Sequence, residues 1–93
     1  MAELLTEEEV SARLQNSEWT REGQEIVREW KFKDFADAMT FVNRIADAAE
    51  EANHHPDILV HGWNKVRLSL TNHSAGGLTE PDFEMAKRFD ALG

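Results

Sequence analysis

The sequence predicts an α+β sandwich in which a four-stranded antiparallel sheet carries three helices on one face, in the order α-β-β-α-β-β-α. Three observations carry this expectation. Segments with the helical period begin after Thr6, Asp34 and Thr79, each a residue type that caps a helix N-terminus. Two stretches with a period near two, Trp19 to Phe32 and the residues around Asn64-Lys65, each contain a short turn and so read as hairpins. Hairpin-joined strands pair antiparallel, and amphipathic helices must bury their stripes against one face of such a sheet.

Thr6 with Glu7, Glu8 and Glu9 fits a capping box, in which the hydroxyl and the Glu9 carboxylate satisfy free amides of the first turn. Leu5 and Val10 occupy the flanking staple positions, and a short helix over about 7–15 places Val10 and Leu14 inward. In the first hairpin Glu22-Gly23 is the expected turn. Ile26, Trp30 and Phe32 point one way, and Glu25, Val27, Glu29 and Lys31 the other. Arg28 falls among the inward positions, which requires either a sheet edge or a face that is not wholly dry.

Asp34 caps the central helix, with Asp37 three residues on and an apolar stripe of Phe35, Ala38, Met39, Val42, Ile45, Ala46 and Ala49. The helix is expected to stop near Asn53. Pro56 drives His55 out of the helical region, and asparagine tolerates a left-handed cap. The second hairpin turns at Asn64-Lys65, and its last strand alternates Val66, Leu68 and Leu70 against Arg67, Ser69 and Thr71. A flexible Ser74-Ala75-Gly76-Gly77 loop leads to Thr79 as N-cap, Pro81 in the first turn and Asp82 at the third helical position. Phe83, Ala86, Phe89 and Leu92 then face inward.

Ninety-three residues make one domain, spanning 1–93, because a second core would have too little chain to bury. Eighteen acidic against ten basic side chains give a formal charge of −8, which opposes direct contact with nucleic acid or anionic lipid. There is no cysteine, so disulfides and thiolate chemistry are excluded. The N-terminal sequence has no basic n-region and no long apolar run, so a cytoplasmic protein without a membrane span is expected.

All four histidines, at 54, 55, 61 and 73, lie between Glu50 and Ser74. Glu50 and His54 are four residues apart at the end of the central helix, where their side chains share a face and the carboxylate can orient the ring. His55 diverges as the helix ends. His73 closes the last strand. If that strand runs beside the helix exit, His54, His55 and His73 converge on one pocket, suited to general acid and base catalysis near neutral pH. His61 reads as an exposed strand residue. Bland readings compete at each position: a His-His pair at a helix end is ordinarily surface material, Asp82 ordinarily a cap, and Trp19, Trp30 and Trp63 ordinarily packing. A three-histidine zinc site is the sharper competitor, but there is no H-E-x-x-H and adjacent histidines are awkward ligands, so no metal is expected.

The pattern E-x-x-x-H-H-P from Glu50 to Pro56, followed by Trp63, His73 and Asp82, resembles the signature of the pterin-4a-carbinolamine dehydratases, also called 4a-hydroxytetrahydrobiopterin dehydratases. The similarity runs over nearly the whole chain, taking in G-Q-E-I-V-R-E-W-K-F, F-V-N-R-I-A and H-S-A-G-G-L-T-E-P-D-F. The segment D-I-L-V-H-G before Trp63 is one residue longer than in the animal enzymes, which a bulge in the third strand would absorb, and Trp63 stands where those have tyrosine. The resemblance implies the same fold and dehydration of 4a-hydroxytetrahydropterin to quinonoid dihydropterin, with no metal or cofactor. It also implies a pterin as small-molecule partner and a homodimer or homotetramer. It further implies that His54 and His73 form the acid and base pair, that His55 holds the pterin, and that Glu50 orients His54. Asp82 would orient His73 or support its loop, with Trp63 and Ser74 as further substrate contacts. Members of the family also act as protein-binding modules, as a dimerisation cofactor of a homeodomain transcription factor or as assembly factors for a carbon-fixing enzyme, which keeps a non-catalytic role as the alternative.

Overall fold

The computed structural model describes residues 3–93 and contains the expected elements in the expected order: α1 (Glu7–Leu14), β1 (Thr20–Glu22), β2 (Glu25–Lys31), α2 (Phe35–Ala52), β3 (Asp57–His61), β4 (Lys65–Leu70) and α3 (Glu80–Asp90). The strands form one antiparallel sheet in the order β1-β2-β4-β3, leaving β1 and β3 as its edges. Ile26 and Trp30 of β2 and Val66, Leu68 and Leu70 of β4 face the helices, where they meet Phe41, Ile45, Ala49, Phe83, Ala86 and Phe89 in a single core. No helix among the described residues is long and apolar enough to cross a membrane.

The helix caps follow from the sequence. Thr6 and Glu9 make the reciprocal capping box: Thr6 N–H donates to the Glu9 carboxylate at 2.9 Å, and Glu9 N–H to the Thr6 hydroxyl at 3.1 Å. These bonds hold Glu9 below its ordinary value of 4.5, the Thr6 backbone amide being the largest cause. Asp34 accepts from Asp37 N–H at 2.8 Å to open α2. At the other end Asn53 takes the left-handed conformation (φ 51°), its N–H bonded to Glu50 O at 3.3 Å and His54 N–H to Ala49 O at 3.1 Å. This Schellman closure fixes where the backbone of His54 leaves the helix.

Several details depart from the expected pattern. α1 ends at Leu14, one residue early. The buried stripe of α2 is Ala38, Phe41, Ile45, Ala48 and Ala49, while Phe35 is 53% exposed and Ala46 is also exposed. Val27 is buried although it lies on the outward row, between Thr20 and Ser69. The first turn is Gly23-Gln24, with Gly23 at φ 61° and Glu22 paired to Glu25. The second turn is Gly62-Trp63-Asn64 rather than Asn64-Lys65. Lys65 already pairs with His61, and Gly62 and Trp63 both have positive φ. β3 pairs with β4 residue for residue from Asp57–Ser69 to His61–Lys65, so there is no bulge and the slack lies in this three-residue turn. Asn64 is buried and ties the turn to the end of β2, its side-chain amide donating to Phe32 O at 2.9 Å.

Arg28 sits on central β2, so the inward face is locally polar. Its guanidinium donates to Asp90 of α3 at 2.6 Å and lies 4.4 Å from the Trp30 ring centroid. Asp90 also accepts from Trp19 Nε1–H at 2.8 Å, and Trp19 stacks edge-on to Trp30 at 5.8 Å. Trp19 and Trp30 are therefore core residues; Trp19 is anchored on Asp90, whereas the buried Nε1–H of Trp30 has no hydrogen-bond partner among the described residues.

Candidate active site

The end of α2 projects two adjacent histidines toward different carboxylates. His54 turns toward α3, where its Nε2 lies 2.6 Å from Oδ1 of Asp82; its side chain is 17% exposed and that of Asp82 is 0% exposed. His55 points outward and its Nε2 contacts the Glu50 carboxylate, both side chains being largely exposed. The expected Glu50–His54 contact does not form. It presumes that the helix continues through His54, but the left-handed turn at Asn53 rotates His54 away and leaves Glu50 to His55.

Asp82 is placed by the first turn of α3. Its Oδ2 accepts from Thr79 N–H at 2.8 Å and from the Thr79 hydroxyl at 3.0 Å, while Asp82 N–H donates to Thr79 O at 3.2 Å. Thr79 is itself 0% exposed, and the adjoining residues are strapped to the N-terminal segment by Leu5 N–H to Leu78 O at 2.9 Å. Asp82 is thus the N3 member of the Thr79 capping box and the partner of His54 at once. It does not orient His73. Thr79 was legible in the sequence only as a cap; the Thr-x-x-Asp spacing carries its link to a carboxylate but not to a histidine.

β4 ends at Leu70, so His73 lies beyond the strand in the loop 72–77. Asn72 clasps that loop: its side-chain oxygen accepts from Ala75 N–H at 3.0 Å, and its carbonyl from Gly76 N–H at 2.9 Å. His73 and Ser74 are exposed on it. Extending the β3–β4 register past Asp57–Ser69 sets Pro56 opposite Leu70 and His55 opposite Thr71, so the His73 loop leaves the sheet at the end where the histidine pair enters it.

Trp63 and His61 lie at the other end. β3 carries the chain about 13 Å from Asp57 to His61 at ~3.3 Å per residue, and Trp63 stands beyond, 61% exposed at the hairpin tip. Within one chain Trp63 is therefore not part of the histidine site. His61 is half-exposed and reaches over the open sheet face to Glu29 of β2.

Among the described residues no three His, Cys, Asp or Glu side chains are grouped to hold a metal ion. A cleft of about 520 Å³ lies between α1 and α3, lined by Arg13, Trp19, Phe83, Lys87 and Asp90 among others, and contains no histidine. Concavity and chemistry point to different places here. The acidic groups in that cleft are committed, Glu80 to Arg13 and Asp90 to Arg28 and Trp19, whereas the histidine end offers free imidazole nitrogens. Imidazoles are the side chains suited to exchange protons near neutral pH, which makes the histidine end the candidate site.

Comparison with known proteins agrees with this fold. The family model described as pterin 4 alpha carbinolamine dehydratase matches residues 3–92. A relative from Picosynechococcus sp. that bears the family's name is 48% identical over 93 residues, covering 99% of this chain and 100% of that protein. The solved structure of a transcriptional coactivator/pterin dehydratase from Brucella melitensis superposes with a TM-score of 0.88 at 36% identity, over 95% of this chain and 96% of that one. A pterin dehydratase-like protein described as a RuBisCO assembly factor in the alpha-carboxysome matches with a TM-score of 0.65 at 25% identity, over 80% of this chain and 84% of that one. With a full-length family match, relatives near half identity and the same fold, this chain belongs to the pterin-4-alpha-carbinolamine dehydratase family.

Proposed function

We propose that this protein is a cytoplasmic 4a-hydroxytetrahydrobiopterin dehydratase that works by histidine acid and base catalysis and serves tetrahydropterin recycling. The observation that carries the reading is the His54–Asp82 pair, a largely buried ring at a helix end held by a fully buried carboxylate, with His55 beside it and the His73 loop at the same end of the sheet. In the reaction the C4a–O bond breaks with its electrons on oxygen, and an acid supplies the proton that makes the leaving group water. The N5 lone pair forms the C4a–N5 double bond, and a base removes the N5 proton. His54 and His73 are assigned as that pair, each contributing ~10²–10⁴-fold, while His55 on Glu50 holds the pterin and Ser74 borders it. No metal or other cofactor enters the assignment.

A homo-oligomer is part of the proposal, supported by the free edge of β3, where Ile58 is 39% and Leu59 50% exposed. Antiparallel self-pairing about Leu59 would set Asp57 against His61 of the partner subunit. It would also carry Trp63 of the partner subunit toward His55.

The test is decay of 4a-carbinolamine, followed with and without chelator, for the wild type and His73→Ala. Metal-independent acceleration by the wild type and its loss in the variant are expected; near wild-type turnover by a folded His73→Ala protein overturns the assignment. The second reading, a protein-binding module, is favoured by the coactivator and assembly-factor descriptions of the two structural relatives. It would leave the histidines without a task, so wild-type protein that fails to accelerate dehydration decides for it.

A further inference from the structure

The two oxygens of Asp82 serve different residues. Oδ2 takes both hydrogens of Thr79, at 2.8 Å from the amide and 3.0 Å from the hydroxyl, which leaves Oδ1 for Nε2 of His54 at 2.6 Å. A carboxylate engaged in this way is an acceptor at its second oxygen as well, so Nε2 of His54 must be the donor. The hydrogen bond made by one ring nitrogen decides the role of the other. In neutral His54 the lone pair therefore lies on Nδ1. Presenting Nδ1 to Asp82 instead would need a different side-chain rotamer of His54, from a backbone fixed by its N–H on Ala49 O at 3.1 Å and with a ring only 17% exposed.

We infer that Nδ1 is the atom through which His54 exchanges protons with substrate, and that Thr79 is the positioning residue that enforces this by holding Asp82. As a base, Nδ1 takes the proton and the ring becomes an imidazolium whose Nε2–H stays on the buried carboxylate. As an acid, Nδ1–H gives the proton back and the same tautomer returns. Without the Thr79 hydroxyl, Oδ2 keeps only the amide donor and the carboxylate can turn, so Oδ1 no longer dictates which nitrogen of His54 is protonated. The proton-exchange part of this inference rests on the dehydratase reading above; the tautomer and its dependence on Thr79 do not.

The experiment is a long-range ¹H–¹⁵N spectrum of histidine-labelled protein at alkaline pH, with His54 identified by its absence in His54→Gln, together with carbinolamine turnover. Wild-type His54 is expected to show a protonated Nε2 and a free Nδ1. Thr79→Val is expected to populate both tautomers and to lower kcat at least about tenfold, part of the ~10²–10⁴-fold of a general acid or base, with KM little changed; Thr79→Ser restores both readouts. A wild-type spectrum with hydrogen on Nδ1 overturns the inference whether or not Thr79→Val folds. So does a folded Thr79→Val protein with wild-type tautomer and kcat. A wild type that is locked in the Nε2–H form, responds to Thr79 and yet does not dehydrate carbinolamine overturns the dehydratase reading and leaves the positioning by Thr79 standing. A working dehydratase with the opposite tautomer overturns this inference alone.

Discussion

His54 Nε2 lies 2.6 Å from Asp82 Oδ1, which joins the exit of α2 to the first turn of α3 through one partly buried hydrogen bond. Removing the carboxylate must therefore act on catalysis and on the helix together. Asp82→Ala is expected to lower kcat toward the low end of the ~10²–10⁴-fold scale of a general acid or base, and to cost about 1–3 kcal/mol because it strands the buried donors of Thr79 along with breaking the capping box. Steady-state kinetics beside a urea melt separates the two. A variant that loses stability but keeps kcat would show that Asp82 is a cap only.

The Glu50–His55 pair is chemically similar and should behave differently, because its side chains are 75% and 55% exposed. Exposed pairs contribute at most ~1 kcal/mol. Glu50→Gln should leave the unfolding midpoint nearly unchanged and raise KM by less than about fivefold, with kcat close to wild type, as expected for a group that steadies a substrate contact. A fall in kcat as deep as that of Asp82→Ala would move Glu50 into the proton-transfer machinery.

What the sequence made legible follows from how local each signal is. The caps at Thr6 and Asp34, the left-handed Asn53 and the alternation of β4 are written within a few neighbouring residues, and all are present. The partners of the histidines were not legible. Glu50–His54 is the natural pair by helical spacing, but a single left-handed residue between them redirects His54 to Asp82, 28 residues away. The contact depends on how α2 and α3 cross the sheet, and no local pattern encodes that. Trp63 shows the converse: its place in the family signature suggested the site, while the hairpin geometry puts it at the opposite end of β3.

Acid should loosen α1 through Glu9. Its folded value is depressed below 4.5 by the Thr6 amide and hydroxyl, so the unfolded chain binds the proton more tightly. The resulting stability is fully present above 4.5 and is lost as the pH falls through the lower folded value. Unfolding midpoints of wild type and Glu9→Gln, measured down a pH series, should differ near neutrality and converge in acid. A constant difference at all pH values would place the cause elsewhere.

Asp90 satisfies both Arg28 and Trp19, so Asp90→Ala leaves two donors unpaired beside the Trp30 ring. Arg28 is 22% exposed, so water can partly replace the lost acceptor. The cost should be about 1–3 kcal/mol, which for a domain of this size is a fall in Tm of about 4–8 °C per kcal/mol. Calorimetry checks it. Trp19 emission should shift in parallel, since its Nε1–H loses its partner; an unshifted spectrum with unchanged Tm would mean that solvent already satisfies the site.

The free edge of β3 should control the association state. Leu59 sits at the middle of the strand and is 50% exposed, and self-pairing about it places two copies of Leu59 in contact and two Asp57–His61 contacts on either side. Leu59→Lys puts like charges at the two-fold axis, a device that keeps natural sheet edges apart. Light scattering should show this variant as a smaller species than wild type at equal concentration, with an unchanged far-ultraviolet spectrum. If Trp63 of the partner subunit borders the histidines, activity should fall with the mass, and Trp63→Ala should raise KM without altering the mass. Unchanged mass in Leu59→Lys would rule out this edge as the contact. A monomer with full activity would show that each chain holds a complete site.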